Sequence, residues 1–168
     1  MDTAQRDLEH TLAYHGAPAL AGIKPADLIA WGTPQTCTSP FFQEYCTQLA
    51  LRGIQLRVMC TGRPRCLLLV YRPDQLERQL ADGAVRALLL REGYPVDQGL
   101  EAMLTALGRR LSEGSFPHEV GLFLGYPPED VEGFRLHQGR DYKLCGCWKV
   151  YSDVERARQC FRRYGLCR

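Results

Sequence analysis

Ile54-Gln-Leu-Arg-Val-Met-Cys60, then Thr61-Gly62-Arg63-Pro64, then Cys66-Leu-Leu-Leu-Val-Tyr71 decide the fold class. In the first run Ile54, Leu56, Val58 and Cys60 alternate with Gln55, Arg57 and Met59, the period of two that buries one face of a strand. The second run is apolar at every position from Cys66 to Val70, as a strand covered on both faces requires. With turn residues between them, the two runs predict a β-hairpin near the centre of a sheet.

On the N-terminal side, Ser39 followed by Pro40 reads as a helix cap and its first-turn proline, and Phe42, Cys46 and Leu49 form a stripe that stops at Gly53. Residues 18–32 read as two short extended pieces broken at Lys24-Pro25, because a residue before proline avoids the helical region. On the C-terminal side, helical patterns run to Gly114 with breaks at Gly83 and at Gly93-Tyr94-Pro95. The last of these helices is capped by Asp97 and carries Leu100, Leu104, Leu107 and Leu111 on one face. Val120 to Leu124, bracketed by Gly121 and Gly125, reads as a buried strand, and Pro127-Pro128-Glu129-Asp130 opens a helix with acids in its first turn. Leu144 to Tyr151 reads as a further strand. Ser152-Asp-Val-Glu155 is a capping-box pattern for a closing helix that packs on the sheet through Val154, Ala157, Phe161 and Tyr164. The expectation is an α/β (α+β) fold, a single domain over 1–168 with a mixed central sheet of about five strands flanked by helices.

Hydrophobic residues make up 45% of the 168, enough for an ordinary core, and 21 Lys and Arg against 19 Asp and Glu leave a net charge of +2. So small an excess gives little attraction for nucleic acid or a membrane surface, and neither is expected as a partner. The charge is segregated: Arg52, Arg57, Arg63 and Arg65 lie in one stretch and Arg156, Arg158, Arg162, Arg163 and Arg168 in another. Residues 113–132 hold Glu113, Glu119, Glu129, Asp130 and Glu132 and no Lys or Arg. Such a dipolar surface suits either plain solvation or docking of a protein partner. No export signal opens the sequence and no apolar run is long enough for a bilayer. The eight cysteines are therefore expected as reduced thiols in the cytoplasm.

Several groups could carry chemistry. If 144–151 is one strand, Cys145, Cys147, Lys149 and Tyr151 share a face, with the thiols roughly 6.5 Å apart along the chain. That spacing suits two soft-metal ligands or a redox-sensitive pair better than a disulfide, and Lys149 could lower a thiol pKa; buried packing is the alternative. Cys160 and Cys167 would join such a site only if the last helix folds back over the strand. His118 and Glu119 offer an imidazole and a carboxylate for proton transfer or hard-metal ligation, although adjacent strand residues point apart. Cys37 precedes the helix start at Ser39-Pro40, where a thiolate is favoured, and could be a nucleophile with His118 as base; an inert thiol is the alternative. Gly121-Leu-Phe-Leu-Gly125 lacks the bare amides of a phosphate loop, because Glu129 and Asp130 occupy the following helix start. Trp31, Tyr126, Trp148 and Tyr151 could line a pocket or belong to the core.

Phe116-Pro-His-Glu-Val-Gly-Leu-Phe-Leu-Gly-Tyr-Pro127, with Glu129-Asp-Val and Cys147-Trp-Lys-Val-Tyr151, resembles a bacterial family catalogued as a domain of unknown function, found mainly in anaerobic Gram-positive bacteria. The likeness extends over most of the chain, through Pro18-Ala-Leu-Ala-Gly-Ile-Lys24 and Val70-Tyr-Arg-Pro73. It departs at Ala17-Pro18-Ala19, where relatives read Ser or Cys and then Pro-Thr, so no hydroxyl or thiol acts there in this chain. The resemblance implies a small cytoplasmic protein of no assigned activity. With the thiols it favours binding of a metal (iron), haem or a related redox cofactor, with Cys145, Cys147 and His118 as metal ligands and Tyr126, Trp148, Lys149 and Tyr151 around the cofactor. The alternatives are a thiol-dependent enzyme using Cys37 or Cys147 with His118, and a protein-interaction module; oligomeric state is open.

Overall fold

The computed structural model describes residues 3–62 and 64–168; Arg63, in the expected turn and basic stretch, lies outside them, as do Met1 and Asp2. The hairpin forms where its sequence places it, as β2 (Gln55–Cys60) antiparallel to β3 (Cys66–Tyr71), with an irregular step between Val58 and Cys60. β1 (Ala26–Trp31) adds to the other side of β3, giving the order β1-β3-β2.

β3 is central, and its alternate residues enter two separate cores. Leu69 and Tyr71 point into a layer filled by α5 (Pro73–Ala81), α6 (Gly83–Arg91) and α7 (Leu100–Ser112), through residues such as Leu76, Leu89, Leu104 and Leu107. Cys66, Leu68 and Val70 point the other way, against Leu8 and Leu12 of α1 (Thr3–His15) and Phe42 of α4 (Pro40–Ala50). Each fully buried leucine stabilises the fold by roughly 1.5–3 kcal/mol relative to an exposed one. A strand apolar on both faces can satisfy two layers at once, which is why β3 carries no polar residue.

The expected N-cap at Ser39 is observed, its hydroxyl accepting from the Phe42 amide at 3.3 Å, and Gly53 leaves the helix region at φ +73°. The first of the two extended pieces is instead a helical turn, α2 (Ala17–Leu20), with Pro18 in its first turn; only the second is a strand. α7 is not capped by Asp97, because Gly99 enters the helix and the Asp97 carboxylate pairs with Arg86.

Val120–Leu124 forms no strand and the 144–151 segment does not join the main sheet, so among the described residues there are two small sheets, of three and two strands, rather than one of about five. Val120 to Leu124 is a short helix, α8 (Val120–Phe123), leading to α9 (Pro128–His137). Its apolar run was too short to separate strand from buried helix, and the Glu119 backbone is already helical at φ −67°, ψ −9°. The 144–151 segment folds on itself as β4 (Leu144–Cys145) and β5 (Lys149–Val150). It turns at Gly146 because α10 (Val154–Gly165) presses there: a Cβ on Gly146 would lie 2.3 Å from Phe161 Cε2. Asp153 caps α10 by accepting from the Arg156 amide. α10 packs Ala157, Phe161 and Tyr164 on Trp148 and Val150 of this small hairpin rather than on the three-stranded sheet. Among the described residues no helix is long and apolar enough to cross a membrane.

Candidate functional site

The β4–β5 hairpin is hung from one buried carboxylate. Asp130, in the first turn of α9 and 2% exposed, accepts from Trp148 Nε1 at 2.7 Å and from Tyr151 N, Ser152 N and Ser152 Oγ at 2.8 Å each. Four donors satisfy both oxygens of a group that would otherwise be costly to bury. Ser152, expected in the capping box, is used here instead.

Between this hairpin and α8–α9 lies a cavity of about 420 Å³. Its walls are largely apolar, with Phe116, Val120, Val131 and Phe134, and its floor includes Tyr126 stacked on Trp148 at 4.9 Å. His118, Cys145, Cys147 and Lys149 also line it, so six of the candidate residues, with Tyr126 and Trp148, share one cavity. They meet by a route other than the one expected. Cys145 and Lys149 are cross-strand partners, while Cys147 sits at the hairpin tip rather than two residues along a continuous strand. Tyr126 donates from its hydroxyl to the Cys147 carbonyl at 3.3 Å, tying floor to tip. Lys149 donates to the Gly139 carbonyl at 2.7 Å and lies over the rings of Phe134 and Tyr142, so its ammonium is held at the rim rather than on a thiol.

Both cysteines are exposed. The Cys147 thiol nevertheless has a raised pKa, chiefly from partial burial, which the positive charges of Lys24 and Arg168 oppose. It is therefore a protonated thiol at neutral pH, not a pre-formed thiolate.

The other candidates fall elsewhere. Tyr151 stacks on His137 at 5.3 Å and donates to the Arg140 carbonyl, outside the cavity lining. Trp31 is core, stacked on Phe42. Cys37 ends a short helix, α3 (Pro34–Cys37), instead of opening α4; burial and the neighbouring Cys66 push its pKa up to about 12. It belongs to the layer under α1 and α4, away from His118, so no nucleophile–base pair forms there. Cys160 packs into the α10 cluster and Cys167 contacts the Arg163 carbonyl; neither lines the cavity.

Behind the cavity wall, Glu119 is 2% exposed and receives Tyr94 OH at 2.9 Å and Arg110 Nη1 at 3.1 Å on one oxygen. Burial and the charge of Glu119 raise the Tyr94 pKa, which keeps its phenol a donor. His118 bridges outward, with Nδ1 3.7 Å from Glu119 and Nε2 3.8 Å from Glu92. Ligand atoms of Glu92, His118 and Glu119 lie within 4.8 Å of one another, and the buried His118 Nε2 has no hydrogen-bond partner. The group fits a cation poorly all the same. Different nitrogens of one ring face the two carboxylates, and Arg110, which also donates to the Glu92 carbonyl, already supplies the positive charge. Cys145 and Cys147 are not part of it.

Tyr94, Arg110 and Asp130 went unnoticed in the sequence as site-forming residues. A signal existed for the last: a buried indole N–H needs an acceptor, and an acid in a neighbouring helix start can provide one. No curated protein and no solved structure matches the chain. Residues 12–168 match the family model described as a protein of unknown function, DUF3793, and the chain belongs to that family.

Proposed function

We propose that the protein binds a flat, largely apolar redox cofactor of the haem class in the cavity between α8–α9 and the β4–β5 hairpin, within a reducing cytoplasm. The observation that carries this is the convergence of a stacked aromatic pair, apolar walls, two exposed thiols and one ammonium on a single cavity of about 420 Å³. Tyr126 and Trp148 would contact the ring face, Lys149 at the rim would take a peripheral carboxylate, and Cys145 or Cys147 would supply the soft ligand that iron accepts. Cys145 and Cys147 are free thiols, in keeping with that compartment. A bare iron ion has less support, since the group around His118 already holds Arg110. A thiol enzyme built on Cys147 and His118 has both residues on the cavity, but the raised thiol pKa opposes it.

The test is titration of anoxically purified protein with haemin. A saturable one-to-one shift of the Soret band is expected, weakened about tenfold, or about 1.4 kcal/mol, by Lys149→Ala and changed in band position by Cys147→Ala. A spectrum identical to that of haemin with an unrelated protein, or a shift untouched by either substitution, would remove this reading.

A further inference from the structure

We propose that the outer edge of β1 is a docking site at which an extended, acidic peptide segment of a partner protein adds a fourth strand to the main sheet. β1 is an end strand, hydrogen-bonded to β3 on one side. The Arg72 amide donates to the Pro25 carbonyl at 3.2 Å, which sets the antiparallel alternation: the main-chain groups of Asp27, Ile29 and Trp31 face β3, and those of Leu28 and Ala30 face away. Among the described residues no strand pairs with that outer side.

Proteins usually blunt such an edge with proline, an exposed charge or a bulge inside the strand. Ala26–Trp31 contains none of these. Its one charge, Asp27, is buried: Lys24 Nζ lies 2.6 Å from one oxygen and the Ala19 amide donates to the other at 3.0 Å. Lys24 is further held over the rings of Tyr126 and Tyr164.

A cleft of about 680 Å³ runs along Leu28, Ile29 and Ala30, and the charge in it decides the occupant. His15, Arg65 and Arg168 line it from three parts of the chain, all exposed, and none is in an ion pair among the described residues. Because Lys24 cancels Asp27, the cleft is left with the unpaired positive charge of Arg65 and Arg168 beside open main-chain donors and acceptors. An acidic strand satisfies both; a basic one meets repulsion. A second copy of this chain is disfavoured by the same charges, since it would bring an equally cationic cleft, and not an acidic strand, to this edge. Main-chain bonds would give such a complex its register and the guanidinium groups its choice of partner.

The experiment uses the full chain and a library of eight-residue peptides alternating valine or threonine with glutamate, each matched to a lysine counterpart. Acidic members should bind by fluorescence anisotropy at least about tenfold more tightly than their counterparts, and less tightly as salt rises. Bound peptide should slow amide exchange at Leu28 and Ala30, and N-methylation of the peptide's ladder amides should weaken binding about tenfold. The surface double substitution Arg65→Glu, Arg168→Glu should do the same with an unchanged circular dichroism spectrum. The proposal is overturned if no acidic member outbinds its lysine counterpart, if N-methylation is without effect, or if sedimentation shows the chain pairing with itself through this edge.

Discussion

Asp130 carries more than its size suggests, because one carboxylate holds four donors from two turns of chain. Replacing it by alanine strands the Trp148 indole and two amides in the interior, at about 2–4 kcal/mol. Urea unfolding of Asp130→Ala should show that loss, with a collapse of the near-ultraviolet signal of Trp148; a change under about 0.5 kcal/mol would mean the hairpin is held by α10 alone. The thiols also differ one by one. Cys145 and Cys147 should react first with a small disulfide reagent near neutral pH, whereas Cys37, Cys60 and Cys66, all buried, should react only as the protein unfolds. Mass mapping after brief labelling decides this, and early modification of Cys37 would contradict its burial.

Among the elements, α9 is pinned to α6 by Glu132, which takes both Arg91, at 2.7 Å, and Arg135, at 2.6 Å. Hydrogen bonds from Arg135 and Arg91 lower its pKa to about 2. A carboxylate whose folded pKa is depressed stabilises the fold above its unfolded pKa, and that contribution fades as pH falls from about 4.5 toward 2. For a partly solvated pair it is worth about 1 kcal/mol. Wild-type protein should therefore lose about that much more than Glu132→Gln over the window, by urea titration at several pH values; parallel pH curves would refute it. Gly146→Ala should cost about 1–3 kcal/mol by displacing Phe161 and loosening α10.

β2 and β3 were legible because their periodicity and their burial report the same thing. The 144–151 segment was not, since alternation along one strand and pairing across a hairpin both put Cys145 and Lys149 on one face; only the contact of Gly146 with Phe161, fifteen positions away, separates the two. His118, Tyr126, Cys145, Cys147, Trp148 and Lys149 could be named individually, but Phe134 carried no signal and the meeting of these residues depends on Asp130 reaching across to Ser152.

For the whole molecule, the two main cores share β3, so neither layer can come apart without exposing the other. We expect one cooperative unfolding transition, with far-ultraviolet dichroism and the release of the Cys66 thiol coinciding in urea. Separate midpoints would divide the chain into two units. The two tryptophans divide along the same lines. Trp31 is sealed at 1% exposure beneath α1 and α4, whereas Trp148 forms part of the cavity floor. Emission from the folded protein therefore comes with its own internal standard. A quencher that enters the cavity should darken Trp148 and leave Trp31 at full brightness, so that the fraction of light lost reads occupancy directly, without a label.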